Sequence, residues 1–158
     1  MRTRIVIILG VLAAIAVNAS AQTLQMRQYA AKFVCGKALD QLNFAPGTYY
    51  TTINVHNPAR VASIDFRKKF ALAEINETAG KISQWFGAGL KADEALQIDC
   101  RNIYAHTNTI PGSFIEGFVV IELPTSRELD VVGVYTAAPP NGGVSTMHME
   151  RVPGRITQ

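Results

Sequence analysis

Three apolar-rich runs close the chain, SFIEGFVVIEL, LDVVGVYTAA and VSTMHMERV, separated only by PTSRE and PPNGG. Runs of this length, dense in Val, Ile and Phe and punctuated by Gly, Pro and Asn, fit pleated strands joined by hairpin-like turns. Asn141, Gly142 and Gly143 supply the positive φ values that a tight hairpin needs. A chain that ends this way is constrained to pair strands.

Earlier segments follow the same pattern. In TYYTTINVHNP, Tyr50, Thr52, Asn54 and His56 share one face; Tyr49, Thr51, Ile53 and Val55 share the other. The second face is the more apolar and is expected to point inward. Pro58 holds Asn57 extended and cannot donate to a ladder, so this strand ends there. Residues 61–75 read as another strand, with Ile64, Phe66, Phe70 and Leu72 at spacing two and Lys68 interrupting their face; a helix is the competing reading, since Phe66, Phe70 and Ala73 also keep helical spacing. An inward lysine suggests an edge or a bulge. ALQIDC reads as a buried strand carrying Cys100, and LQMRQYAAKFVCGKAL as a strand around Phe33 to Gly36 or a short helix. With no long amphipathic helix, no repeat and no low-complexity linker, the expected fold is all-β. It is a single-domain antiparallel β-sandwich, Ig-like in general architecture, over residues 22–158.

Residues 1–21 are expected to be a signal peptide helix. Arg2 and Arg4 precede an uncharged apolar run from Ile5 to Val17, and Ala19-Ser20-Ala21 offers small residues for cleavage. The run is shorter than the roughly 20 residues a transmembrane helix needs. Removing Arg2 and Arg4 takes Lys+Arg from 15 to 13 against 12 acidic residues, a net charge near +1. The only basic cluster is Arg67-Lys68-Lys69, so the electrostatic footprint of a nucleic-acid binder is missing. The expected location is periplasmic or extracellular, with no membrane association beyond export.

Cys35 and Cys100 are the two cysteines. In an oxidising compartment such a pair is most simply a disulfide, and its loop of roughly 65 residues would stabilise the fold by about 4 kcal/mol on chain-entropy grounds. Two free thiols, or a thiolate nucleophile near a histidine, are the alternatives. His56, His106 and His148 could form a zinc triad, yet none stands in a ligand-spaced motif. His148 shares a polar face with Thr146 and Glu150, and His106 lies in the polar YAHTNT loop. There is no G-x-S-x-G elbow, no phosphate-cradling glycine loop, and no carboxylate pair aimed into one cleft. No cofactor and no metal are expected.

The motifs VCG, PGTYYTTINVHNP, ALQIDC, FIEGFVVIEL and LDVVGVYTA, in this order, resemble a family of exported bacterial β-rich proteins. The resemblance implies a secreted β-domain with two linked cysteines and transfers no activity. The leading expectation is therefore a non-enzymatic exported domain that binds a protein or a cell-surface component. Tyr49, Tyr50, His56, Asn57 and Arg60 are its candidate binding residues. A structural subunit assembling through edge strands, VSTMHMERV above all, is the second reading. A metal-dependent enzyme using His56, His106 and His148 is the third.

Overall fold

A computed structural model describes residues 25–39, 44–141 and 146–157. The expected signal segment and the Gly142-Gly143 turn lie outside them. No helix among the described residues is long and apolar enough to cross a membrane.

The longest strand is β1, Met26–Ala38, in the segment whose sequence left strand and helix open. It alternates strictly: Tyr29, Ala31, Phe33 and Cys35 are buried, while Gln28, Ala30, Lys32 and Val34 are less so. Its residues Met26 to Cys35 pair antiparallel with β7, Ile115–Pro124. Its last three pair instead with β2, Gly47–His56. Gly36 makes this change of partner possible. Its φ is +95°, and a Cβ there would sit 2.1 Å from the carbonyl oxygen of Ser113. Only glycine reconciles that backbone with that approach.

The remaining strands arrange around this shared one. The strand β3, Ile64–Ala73, pairs with β7 on one edge, and β4 (Ala79–Ile82) and β5 (Phe86–Leu90) divide its other edge. A strand β6, Ala95–Asp99, lies along β2. On its opposite edge β2 pairs with β8, Asp130–Ala138, which in turn carries β9, Thr146–Arg151. Finally β10, Arg155–Thr157, returns to the start of β1. The result is one ten-stranded antiparallel sheet of order β4-β3-β7-β1-β2-β8-β9. The all-β antiparallel class is as the sequence indicates, and the two halves are joined through β1.

Both halves contribute to one core. Phe33, Phe70, Val119, Ile121 and Leu123 come from the β1–β3–β7 half, and Ile53, Val55, Ile98 and Val131 from the β2–β8 half. Each such side chain contributes roughly 1.5–3 kcal/mol by leaving water.

Four expectations are corrected. The runs forming β7 and β8 are not a hairpin, because residues 125–129 carry the chain from one half of the sheet to the other. A five-residue connection fits a hairpin in length, but the partners with complementary inward faces are β1 and β3 for β7, and β2 for β8. The strand β3 is interior rather than an edge, and its pairing with β4 shifts register between Ala71 and Ala73 rather than at Lys68. Lys68 is accommodated where β5 ends and before β4 begins, and burial lowers its pKa. Cys100 is not in a strand; it opens the helix α1, Cys100–Thr107. His106 therefore stands in the last turn of that helix, not in a loop.

Candidate binding site

The helix α1 forms because its ends are satisfied locally. Asp99 accepts the amide of Asn102, and the Asn102 side chain accepts the amide of Asp99, each at 3.0 Å, a reciprocal cap. Asn108 ends the helix in the left-handed region, φ 54° and ψ 44°, and returns its N–H to the Tyr104 carbonyl. Ile103 is fully buried against the sheet. The opposite stripe, Arg101, Tyr104, Ala105 and Asn108, follows the i, i+3, i+4, i+7 helical spacing and faces a cleft of about 860 Å³.

The facing wall is built at strand spacing. Thr48, Tyr50 and Thr52 of β2 alternate outward, with Gln97 and Asp99 of β6 beside them. Lys37, Pro111 and Gly112 close the third side. The cleft exists because β2 changes neighbours here: β1 pairs with it as far as Tyr49, and β6 from Thr52 onward. The Cys35–Cys100 disulfide fills the breach, with Cα atoms 5.7 Å apart. The Thr51 hydroxyl, 1% exposed, accepts the Val34 amide and donates to the Val34 carbonyl, both at 2.9 Å.

The charged groups of the cleft are largely paired. Burial would raise the Asp99 carboxyl, but the Asn102 amide and the Arg101 guanidinium, 2.9 Å away, hold it below the usual carboxylate range. Burial pushes the Tyr104 phenol up, while its hydroxyl donates to the Ser113 carbonyl at 2.8 Å. Tyr50, 56% exposed, is the aromatic ring left open to a ligand on this wall.

The five residues singled out in the sequence do not form one cluster. Tyr49 turns inward, its ring edge-on to Phe44 and Phe114 at 5.8 and 6.0 Å between centroids. Tyr50 lies in the cleft. His56 is on the same face of β2 but six residues along, about 20 Å away at strand rise. Arg60 is exposed in the connection before β3. Asn57 is 0% exposed. Its amide donates to the carbonyls of Ala62 and Lys91, each at 2.8 Å, and its side-chain oxygen accepts from Ala59 at 3.0 Å. Asn57 therefore clasps the chain as it leaves the sheet.

The three histidines stand in three separate environments. The two ring nitrogens of His56 meet different carboxylates, Nε2 facing Asp93 at 3.1 Å and Nδ1 facing Asp130 at 3.3 Å. Those nitrogens point to opposite sides of the ring, so the two acids do not converge with it on one ion. His106 stacks on Phe70 and leans on Phe86, with centroids at 5.0 and 4.2 Å, and burial lowers its pKa. His148 lies over Tyr135 at 6.2 Å. Among the described residues no group of three His, Cys, Asp or Glu side chains is placed to hold a metal ion.

One basic cluster, Arg67 with Lys69, gains an aromatic neighbour from a distant part of the sequence. Trp85, arriving between β4 and β5, lies 4.4 Å from the Arg67 guanidinium and 4.5 Å from the Lys69 ammonium. Arg67 is also paired with Glu122 at 2.9 Å.

No protein-family model matches this chain, and no curated protein matches it. Among solved structures, the crystal structure of Thermotoga maritima 1070 is similar over 84% of this chain and 95% of that one, with a TM-score of 0.47 and 8% identity.

Proposed function

We propose that this chain is an exported, non-enzymatic binding domain, periplasmic or extracellular, whose ligand docks between the outer face of β2 and α1. The observation that carries this reading is the cleft of about 860 Å³ with Tyr50 open at its wall. Its volume falls within the roughly 300–1,000 Å³ usual for small-molecule sites. Export is supported by the basic start and apolar run of residues 1–21, and by the disulfide, which persists in oxidising compartments.

The lining, a mostly apolar surface set with neutral hydrogen-bonding groups, suits an amphipathic, polyhydroxylated ligand, a saccharide of a wall or cell surface being the plainest case. Tyr50 offers an amphipathic ring. Thr48, Thr52, Gln97 and Asn108 donate and accept without carrying charge. Arg101 and Asp99 largely cancel one another, and Lys37 is the further charge on the rim.

The test titrates neutral oligosaccharides into labelled protein while following the amides of Tyr50, Thr52 and Ala105. Saturable shifts, lost in Tyr50→Ala and in the cleft-filling Ala105→Trp with the fold intact, are expected. Binding that survives both substitutions would place the ligand elsewhere. Silence from every saccharide, with short peptides binding instead, would replace the ligand class.

A further inference from the structure

The strand β9 is one end of the strand order. All six residues of β9 are exposed, and among the described residues its only strand partner is β8. The hydrogen bond from the Val152 amide to the Val131 carbonyl, 2.8 Å, fixes the phase of the pairing. Backbone groups of Thr146, His148 and Glu150 turn toward β8, so those of Met147, Met149 and Arg151 turn to the open edge. Natural edges are commonly blunted by lysine, proline or a bulge. Two of the three outward-turned positions here are instead methionines, 67% and 61% exposed. They also lie on the same face of the sheet as Tyr50, through the register Tyr50–Thr136–Met147.

We propose that β9 pairs antiparallel with β9 of a second copy of this chain, about a two-fold axis at Met149. The strand is self-complementary in that register. Met149 meets Met149, Met147 meets Arg151, and His148 meets Glu150 on both sides of the axis. Moving the axis one residue either way sets His148 against His148 or Glu150 against Glu150. Opposed like side chains of that kind are disfavoured across strands once charged, whereas the acid–base pairing is favourable. Three outward residues per chain supply about six backbone hydrogen bonds across the junction. Unbranched methionine packs readily against its own copy and against the aliphatic stem of arginine. The second copy also carries a cleft of its own, so the dimer would present two clefts on one continuous surface.

The experiment is light scattering and sedimentation of the full chain as purified, with Met149→Pro, Met149→Cys and Met147→Cys. Met149→Pro removes one outward N–H, leaves the β8 ladder untouched, and is expected to yield a monomer with an unchanged circular dichroism spectrum. Met149→Cys is expected to form a disulfide-linked dimer on mild oxidation, because the two copies face each other directly. Met147→Cys, opposite Arg151, is expected to cross-link far less. A wild-type monomer at millimolar concentration would overturn the proposal. So would a dimer that survives Met149→Pro, or equal cross-linking at both positions.

Discussion

The amide of Thr51 donates to the sulfur of Cys100 across 3.2 Å. It does so where β2 has lost one neighbouring strand and not yet gained the next, so the cystine stands in for a missing backbone partner. Reduction of the disulfide is expected to destabilise the fold by about 2–5 kcal/mol. Cys100→Ala should cost more than Cys35→Ala, because it also removes the acceptor of a buried N–H. Urea unfolding of the two variants, both without the cross-link, reads that difference directly.

The Thr51 hydroxyl serves Val34 in the same breach. Thr51→Val preserves the volume but leaves the amide and carbonyl of Val34 without their partner. The expected loss is about 2–4 kcal/mol. Thr51→Ser, which keeps the hydroxyl, should recover most of it. Equal losses for both variants would mean that packing, not the hydrogen bonds, matters here.

Asn57 sets structure and binding apart cleanly. Asn57→Ala abandons two carbonyls and one amide in a fully buried site, and is expected to cost about 3 kcal/mol. Tyr50→Ala, at a half-exposed position, should stay within about 0.5 kcal/mol of the parent. Thermal unfolding of the pair distinguishes a clasp from a contact residue.

His56 and His106 are expected to titrate on opposite sides of 6.5. Hydrogen bonds to Asp93 and then Asp130 raise the pKa of His56, so its protonated form stabilises the folded state below pH 6.5. That contribution fades as pH rises through the raised value. Burial and the nearby Lys68 lower the pKa of His106, so protonation there works against folding as pH falls below 6.5. Ring-proton NMR across pH 4–9, with His56→Gln and His106→Gln for assignment, checks both directions.

Much of the sheet was legible because burial on one face of a strand leaves a period of two in the sequence. The inward set Thr51, Ile53, Val55 and the set Ile64, Phe66, Phe70 follow that rule. The disulfide was legible from the cysteine count and the nature of the first twenty residues. The helix was not, because eight residues give barely two turns of periodicity, and its cap pairs Asp99 with asparagine where glutamate or glutamine is the usual signal. Its clearest trace was Asn108 followed by Pro111, a helix ending that resembled an ordinary polar loop. Of the cleft, Tyr50 alone is a candidate binding residue on sequence grounds. Arg101, Tyr104 and Asn108 were hidden because they share a face only once residues 100–107 are helical, and the β2 and β6 wall opposite them is assembled by long-range pairing. The NVHNP segment is a case of right ending and mixed roles: the strand stops there, Asn57 holds the stop, and His56 bridges two acids beside it.

The pairing of Met26 with Thr157 ties the beginning of the described sheet to its end. One edge of β1 is completed by β7, while the other is divided between β2 and β10 and is completed only by the last described strand. Topologies dominated by such distant partners fold slowly, because loop closure must precede the reward of contact. Truncating β10 should therefore leave β1 with an open edge early in its length, even though only three residues are lost. The strand β10 acts as a latch on the start of β1, and it leaves the ribosome after every other strand of the described sheet.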